Sequence, residues 1–560
     1  MSVLATTPVD RMDRPYSRRW WALGVLCLSL LIIVMANTSL IVAAPDMTRD
    51  LGLSSRDLQW VIDAYTVPYA ALMLILGAIG DKYSRRGALI TGLVIFAAGS
   101  IAGSLVDSTS GVIVARAVMG VGAAVIMPAT LSLLVATFPR SERAKAITAW
   151  TATSGLAIAL GPLIAGWLLE SHAWGSTFLI NVPIALIAVV AALFVIPPSK
   201  AHDYGRLDLV GGALSIATLG SLVYAIIEGP HFGWGTGPVT ALVVFVVGLG
   251  SFVAWELRHP RPIFNLRKFG ERVFSGSMLA VLLFFLGTFG AIYFLTQHLQ
   301  FVLGFTALET GVRLLPLAGA VCLGAVATGR LTPRLGMRVT VTTGMALGTI
   351  GVLLMTRIQD GSGYGDFLAP LILLGVAIGL SVSPCTEAIM GSFPENELGA
   401  GGGVNDTAVE LGGALGIAIL GSVLATSYES ELTKAVGGKL PPEAMDVAKD
   451  SIGGALAAAE QVGHVAGPQQ AQALIQAADH AFTQAVAHTS LIGGIVLAVG
   501  TILVGLILPN RARTQAAREE ATSTPDTDTR GTDAKGADAG TDARANTNTN
   551  ADKHEKQPVS

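Results

Sequence analysis

The sequence LQWVIDAYTVPYAALMLILGAIGDKYSRRG, residues 58–87, joins a long apolar run to a short charged end. About twenty apolar residues are enough to cross the ~30 Å hydrocarbon core of a bilayer. Asp63 lies inside this run, where a charged carboxylate costs about 2.5–3.5 kcal/mol on insertion scales. The run therefore predicts a membrane helix whose acidic residue serves a function, such as holding a proton or a cationic substrate.

The composition of the whole chain agrees with a membrane protein. Of its 560 residues, 52% are hydrophobic and only 13% are charged, and its mean hydropathy is +0.60. A soluble protein carries roughly a quarter charged residues. The net charge of -3 gives no basic excess that would indicate a nucleic-acid partner. The three cysteines all lie in apolar blocks, so we expect free thiols rather than disulfides or a metal site.

Apolar blocks recur along the chain and predict an all-α membrane protein with fourteen transmembrane helices. The predicted spans are 20–44, 58–79, 87–106, 111–136, 146–168, 177–197, 209–228, 238–257, 273–296, 308–328, 338–357, 367–390, 403–426 and 488–508. Lysine and arginine concentrate in alternate loops, which are 82–86, 140–145, 200–206, 258–272 and 330–338. By the positive-inside rule these loops are cytoplasmic, and both chain termini are then cytoplasmic as well.

Corresponding motifs indicate that the chain contains two related halves. GAIGDKYSRRG (77–87) follows the second span, and GRLTPRLGMR (329–338) follows the tenth. GLAIALGPLIAG (155–166) lies in the fifth span, and GGALGIAILG (412–421) lies in the thirteenth. Repeats of this kind predict two six-helix bundles related by a two-fold axis.

The resulting division of the chain has six parts. They are a cytoplasmic tail (1–19), a first bundle (20–197), an inserted helix pair (209–257), a second bundle (273–508), an extracellular helical loop within it (427–487), and a cytoplasmic tail (510–560). Within the loop, residues 445–460 and 469–487 have helical spacing. The tail is almost free of large apolar residues, so we expect it to be disordered.

These motifs resemble the Major Facilitator Superfamily, and specifically its fourteen-helix drug:proton antiporters. Residues 77–87 resemble the signature loop of the family, and ARAVMGVGAA (115–124) is similar to its helix 4 motif, with Arg116 inside the membrane. ALGPLIAG (159–166) resembles the antiporter motif, although it ends in Ala-Gly rather than Gly-Gly. FLINVPIAL (178–186) and the segment ending at Gly421 match further landmarks. The resemblance covers residues 20–508 and implies the major facilitator fold.

Acidic residues near helix ends or inside spans are the candidates for proton coupling and substrate binding. Family members often carry an acidic residue in helix 1, but here that position is Asn37, which leaves Asp63 as the acidic group at this depth. We expect Asn37, Asp63 and Arg116 to meet in the outer half of the first bundle. A fixed Asp63–Arg116 ion pair is the structural alternative. The second bundle offers Glu387, Asp406 and Glu410, with solvated helix ends as the alternative for Glu387 and Asp406.

Three further groups of residues have expected roles. In the signature loop, Gly77 and Gly80 allow close helix approach, and Asp81 with Arg85 or Arg86 holds the inner ends of the second and eleventh spans together. In the fifth span, the residues that we expect to form a smooth, bent face sealing the cavity are Gly155, Gly161, Pro162 and Gly166. The aromatics that could line a pocket for flat cations are Trp60, Tyr65, Phe285 and Phe289. Each group has a simpler alternative. The basic residues of the signature loop could serve only to set the topology, and the small residues of the fifth span could serve only in helix packing. Trp60 could be an anchor at the membrane interface.

The expected function is proton-coupled efflux of hydrophobic, cationic drugs, biocides or dyes. No Walker P-loop is present in the sequence, so we expect the proton gradient rather than ATP or a cofactor to supply the energy. We expect small-molecule substrates, protons and membrane lipid as partners, and a monomer in the cytoplasmic membrane. A dedicated exporter of one metabolite or antibiotic would use the same fold. A membrane sensor or enzyme would need a signalling domain or a catalytic constellation, and neither is evident in the sequence.

Overall fold

The computed structural model describes residues 16–53, 55–201, 206–232, 234–437 and 442–510, and these residues form seventeen α-helices and no strand. Residues 1–15 and the predicted disordered tail beyond residue 510 lie outside this part. The helices are α1 (Arg19–Leu51), α2 (Ser55–Tyr83), α3 (Arg85–Leu105), α4 (Thr109–Thr137), α5 (Arg140–Leu169), α6 (Ser176–Leu179), α7 (Asn181–Val195), α8 (Leu209–Phe232), α9 (Thr236–Arg258), α10 (Arg272–Gln297), α11 (Ala307–Leu335), α12 (Met337–Leu354), α13 (Tyr364–Gly391), α14 (Leu398–Val436), α15 (Pro442–Asp450), α16 (Ile452–Ala466) and α17 (Pro468–Ile507).

In the described part of the chain, fourteen helical segments are long and apolar enough to cross a membrane, as the sequence predicts. The sixth of them is divided into α6 and α7 just before NVP (181–183). Proline lacks an N–H and is tolerated in the first turn of a helix, and Pro183 occupies that turn of α7. The Asn181 side chain donates to the carbonyl oxygens of Thr177 and Phe178 at 3.3 and 3.1 Å, which joins the two pieces.

Matching helix pairs in the two halves support the internal repeat. A Cβ placed on Gly120 of α4 would lie 2.3 Å from the Tyr65 carbonyl oxygen of α2. A Cβ placed on Gly375 of α13 would lie 2.4 Å from the Leu317 carbonyl oxygen of α11. Small residues let membrane helices approach this closely. Helix α4 therefore packs on α2 in the first half as α13 packs on α11 in the second.

Burial separates central helices from peripheral ones. The most apolar windows of α4 and α13 have 89% and 72% of their residues buried, whereas that of α9 has only 22%. The inserted pair α8 and α9 packs on the first bundle through α2, where Gly212 of α8 faces the Ile75 side chain. Many apolar side chains of α9, such as those of Val243, Val246 and Val247, are consequently exposed on the outside of the protein.

Two helices extend well beyond their predicted spans. The thirteenth span, predicted at 403–426, lies in the 39-residue helix α14, and the fourteenth, predicted at 488–508, lies in the 40-residue helix α17. At 1.5 Å per residue each is about 60 Å long, about twice the hydrocarbon thickness. Residues 427–436 and 468–487 thus continue the membrane helices α14 and α17, and Tyr428 of α14 donates to the Ala448 carbonyl oxygen of α15 at 3.0 Å.

Candidate functional site

Arg116 is fully buried in α4 and braces three helices of the first bundle. Its Nε donates to the Val61 carbonyl oxygen at 3.1 Å, and its Nη2 donates to the Ile62 carbonyl oxygen and to Asn37 Oδ1, each at 3.3 Å. These carbonyls lie in α2, and Asn37 lies in α1. A carbonyl oxygen has two lone pairs, so it can accept from Arg116 while it remains in its helical hydrogen bond. Arg116 therefore holds α1, α2 and α4 in register.

The structure brings the predicted residues Asn37, Asp63 and Arg116 together. Asp63 is 8% exposed and interacts electrostatically with Arg116 and with Tyr293 of α10. The Arg116 guanidinium also donates to Asn37 and to the carbonyl oxygens of α2, so it is shared between Asp63 and these groups. Asp63 thus belongs to the first bundle and also faces the second.

Tyr65 covers the buried guanidinium instead of standing free in a pocket. Its ring centroid lies 4.5 Å from Arg116 Cζ, which is a cation–π contact, and its hydroxyl donates to the Ile33 carbonyl oxygen at 3.3 Å. The side chain is 1% exposed. Tyr65 therefore helps Arg116 to hold these helices together.

Asp406 lies in the third turn of α14 and is 1% exposed. The interpretation of Asp406 as a solvated helix end is therefore wrong, because α14 begins at Leu398. Asn405 Nδ2 donates to Asp406 Oδ1 at 2.9 Å. Asp406 Oδ2 is buried and has no hydrogen-bond partner among the described residues. A second polar site thus exists inside the second bundle.

Glu410 connects this site to the first bundle. It follows Asp406 by one helical turn and interacts electrostatically with Asp406 and with Tyr69. Tyr69 belongs to α2, so this contact crosses between the two bundles. Sequence reasoning missed Tyr69, although its position four residues after Tyr65 places both rings on one face of α2. Glu410 is partly accessible, unlike Asp406.

Aromatic rings form a wall beside Glu410. The rings of Phe285 and Phe289 in α10 are 5.1 Å apart and meet edge to face. A Cβ placed on Gly413 would lie 2.3 Å from the Phe289 ring. Gly413 follows Glu410 by three residues, so Phe289 packs against the side of α14 that carries Glu410. An acidic group beside aromatic faces is chemically suited to bind a flat cation or a proton.

Two other candidates lie away from this site. Trp60 Nε1 donates to Glu228 Oε1 of α8 at 2.9 Å, and the Trp60 ring lies 5.8 Å from that of Tyr224. Trp60 therefore holds the inserted pair against α2. Glu387 is half-buried about one turn before the end of α13.

The signature loop joins the two bundles on the side of the membrane where α1 begins, which we call the N side. Asp81 Oδ1 accepts from Arg85 Nε at 2.6 Å, and Asp81 Oδ2 accepts from the Gly399 N–H. Arg85 Nη2 also donates to the Glu395 carbonyl oxygen. The eleventh span is therefore the wrong partner for this loop, because Gly399 lies in α14, the thirteenth span. Arg86 is not the partner of Asp81 either, and it donates to the Ile196 carbonyl oxygen at 3.0 Å.

Glycines allow the bundles to touch at this point. A Cβ on Gly77 would lie 2.3 Å from the Gly399 carbonyl oxygen, and a Cβ on Gly399 would lie 2.3 Å from that of Gly77. A side chain at either position would push α2 and α14 apart. Gly80 instead faces Ala88 across the turn between α2 and α3.

The fifth span packs on α11 toward the far side, opposite the N side. Cβ atoms placed on Gly155 and Gly166 would lie 2.9 and 3.0 Å from Val321 and Leu308 of α11. Gly161 faces the Thr38 side chain of α1, and Pro162 lies inside the helix. The small residues of α5 thus permit contact with helices of both bundles. A sealing function for this face remains a prediction.

Comparisons with known proteins identify the family. Residues 26–417 match the family model described as Major Facilitator Superfamily, and the chain belongs to this superfamily of membrane transporters. The resemblance inferred from the motifs is confirmed. The chain is a multi-pass membrane protein with the major facilitator fold.

Three relatives are resistance or efflux proteins. The chain is 32% identical to multidrug efflux pump LfrA of Mycolicibacterium smegmatis, over 88% of this chain and 97% of the relative. It is 32% identical to methyl viologen resistance protein SmvA of Salmonella typhimurium, over 83% and 93% of the respective chains. It is 34% identical to puromycin resistance protein pur8 of Streptomyces alboniger, over 75% and 85%.

A solved structure agrees on the fold alone. A bacterial homologue of the human lysosomal transporter Spinster superposes with a TM-score of 0.55 at 16% identity, over 88% of this chain and 98% of the other.

Proposed function

We propose that this protein exports hydrophobic, cationic drugs, biocides or dyes across the cytoplasmic membrane in exchange for protons. The observation that carries the proposal is the pair of acidic residues Asp406 and Glu410 inside α14, where Asp406 is buried and Glu410 interacts electrostatically with Tyr69 of α2. A carboxylate at the interface of two bundles can hold either a proton or a cation, and intramembrane ionisable groups are functional by default. Relatives named for multidrug efflux and methyl viologen resistance support the cationic substrate class.

Alternating access would couple the two flows. Protons entering down one pH unit supply about 1.4 kcal/mol each, and each charge moved adds about 2.3 kcal/mol per 100 mV. Rocking of the bundles would separate Tyr69 from Glu410 and expose the carboxylate to the other side. Asp81, Arg85 and Gly399 would lock the N side in one state of this cycle.

The remaining candidate residues have supporting roles in this proposal. Asp63 faces Tyr293 across the bundle interface and contributes negative charge to the substrate path. Arg116 and Asn37 fix the position of α2. Glu387 attracts protons or cations near the N side. The N side is cytoplasmic and the protein works as a monomer surrounded by lipid.

A dedicated exporter of one antibiotic is the second candidate. The similarity to a puromycin resistance protein favours it, because fold does not determine substrate. The two candidates differ in the breadth of substrates that move protons.

Transport in energised inside-out vesicles separates these candidates. The lumen is acidified, and its pH is followed with a quenching dye while methyl viologen, a planar cationic dye, a quaternary ammonium biocide and puromycin are added singly. Proton release by several cations supports multidrug exchange. A response to puromycin alone would support the dedicated exporter, and no response to any compound would contradict proton-coupled export of these classes.

A further inference from the structure

Two acidic side chains face each other at the N-side end of the inserted pair, away from the site described above. Asp208 immediately precedes α8 and is 7% exposed, and Glu256 lies in the last turn of α9 and is 3% exposed. A Cβ placed on Gly211 would lie 2.5 Å from Asp208 Oδ2 and 2.4 Å from Glu256 Oε1. Both oxygens lie so near one point that they are no more than about 5 Å apart.

Asp208 is surrounded by hydrogen-bond donors. The Gly211 N–H donates to Asp208 Oδ1 at 2.8 Å, and Trp255 Nε1 lies 3.0 Å from each carboxylate oxygen. Asp208 also lies at the N-terminus of α8, where negative charge is favoured. The negative charge of the pair is therefore best accommodated on Asp208.

Glu256 has a different environment. Its Oε2 accepts from the Phe264 N–H at 3.1 Å, but its Oε1 is buried and has no hydrogen-bond partner in the described part of the chain. The groups that act on it are Asp208 from α8 and the N–H groups of Ile263 and Phe264 from the segment leading to α10. The nearest basic residues along the chain are Arg258, His259 and Arg261; both arginines are exposed to solvent, and His259 stacks on the Trp255 ring at 5.2 Å.

We propose that Asp208 and Glu256 bind one proton between them, carried by Glu256 Oε1 and directed toward Asp208. Two buried carboxylates at this separation cannot both be ionised without a large cost. A protonated carboxyl donating to a carboxylate forms a strong, charge-assisted hydrogen bond and satisfies the unpartnered oxygen. A proton fits better than a metal ion, because the described residues contain no cluster of three or more His, Cys, Asp or Glu side chains.

This proton would tie the linker between the inserted pair and the second bundle to α8 and α9. Phe264, whose N–H Glu256 accepts, stacks near Phe393 with ring centroids 6.1 Å apart, and Phe393 lies in the loop before α14. When the proton leaves, the two carboxylates repel, and the Phe264 N–H donates more strongly to the ionised Glu256 than to its neutral form. The inserted pair thereby senses proton activity on the N side independently of transport.

Infrared difference spectroscopy of the purified full-length protein tests the proton directly. Raising the pH should remove the carbonyl stretch of a protonated carboxyl group, and Glu256→Gln should lack that component of the difference spectrum. Glu142→Gln is the matched control, because Glu142 forms an ordinary ion pair with Arg19 at 2.6 Å on the same side. A Glu256→Gln spectrum identical to that of the wild type would overturn the proposal.

Amide hydrogen exchange in the linker provides a second measurement that needs no variant. After correction for the intrinsic rate, exchange at Phe264 should become several-fold slower as the pH rises, because its N–H donates more strongly to the ionised Glu256. In Glu256→Gln, exchange at Phe264 should keep one corrected rate at every pH, since the amide does not titrate. The proposal of a bound proton would be contradicted if the exchange rate at Phe264 in the wild type did not change with pH. It would also be contradicted if protection of this amide required added sodium or magnesium ions.

Discussion

The two acidic regions at the bundle interface differ in what surrounds them. Asp63 lies beside Arg116, a buried cation whose hydrogen bonds connect three helices. The described partners of Asp406 and Glu410 are the neutral groups of Asn405 and Tyr69. The first region is balanced and braced, whereas the second has two negative groups without a cation among these partners. A balanced pair stabilises the fold, and an unbalanced one is suited to exchange protons for cations.

Arg116→Ala should cause the largest effect, and the effect should be on stability. It removes the donor to Asn37 Oδ1, the cation that interacts with Asp63 and the cation–π partner of Tyr65. Removing one member of a buried charged group costs about 3–5 kcal/mol. The yield of folded protein and its melting temperature should fall sharply. Arg116→Lys keeps the charge but lacks the planar guanidinium group. Its melting temperature should therefore lie between those of the wild type and Arg116→Ala. An Arg116→Ala protein as stable as the wild type would contradict the stabilising role of the region around Asp63 and Arg116.

Glu410→Gln should abolish proton-coupled export while leaving the fold intact. Glutamine preserves the size of the side chain and can still bond Tyr69, but it cannot bind and release a proton. Substrate-driven proton movement in vesicles should fall to background, with an unchanged melting temperature. Glu410→Asp, which keeps the carboxylate, should restore part of the activity. Full export by Glu410→Gln would show that the coupling group lies elsewhere.

Asp406→Asn should weaken export without abolishing it. Asp406 lies one turn from Glu410, and at an effective dielectric constant of ~20 two such charges interact by about 2–3 kcal/mol. We expect an activity loss of about tenfold, measured as the initial rate of proton release. Asp450→Asn, at an exposed position of α15, is the control and should have no effect. If Asp406→Asn and Asp450→Asn release protons at equal initial rates, Asp406 has no part in export.

Tyr69→Phe should have the smallest effect. It removes the hydroxyl that interacts electrostatically with Glu410 across the bundle interface, and we expect this to change binding by about 1 kcal/mol. A change of about fivefold in the substrate concentration for half-maximal rate is expected. Tyr224→Phe, whose ring contacts Trp60 in the inserted pair, should not change that concentration. If both variants behave like the wild type, Tyr69 is only a packing residue.

Much of the fold could be predicted from the sequence because membrane spans depend on length and local hydropathy. The fourteen spans, the internal repeat and the position of Asp63 near Arg116 all follow from local patterns. The lengths of α14 and α17 did not, because polar residues continue each helix beyond the membrane without a break. The burial of Asp406 could not be predicted either, since a glycine-rich start to α14 was read as a loop.

Contacts between distant segments account for the remaining differences. The pairing of Asp81 with Gly399 depends on how the halves dock, and the motif alone led to the wrong span. Asp208 and Glu256 are separated by 47 intervening residues, and no local pattern indicates that they face each other. Tyr69 had a local signal in its spacing from Tyr65, but only the docking of α14 on α2 gives it a partner.

Proton release from purified protein on substrate binding tests the central claim most directly. The protein is held in weakly buffered detergent solution without any gradient, methyl viologen is added, and the solution pH is followed for the wild type, Asp63→Asn and Glu410→Gln. The account predicts that the wild type and Asp63→Asn release protons on binding, and that Glu410→Gln releases none. Proton release from Glu410→Gln, or its loss only in Asp63→Asn, would contradict the assignment of coupling to the second bundle.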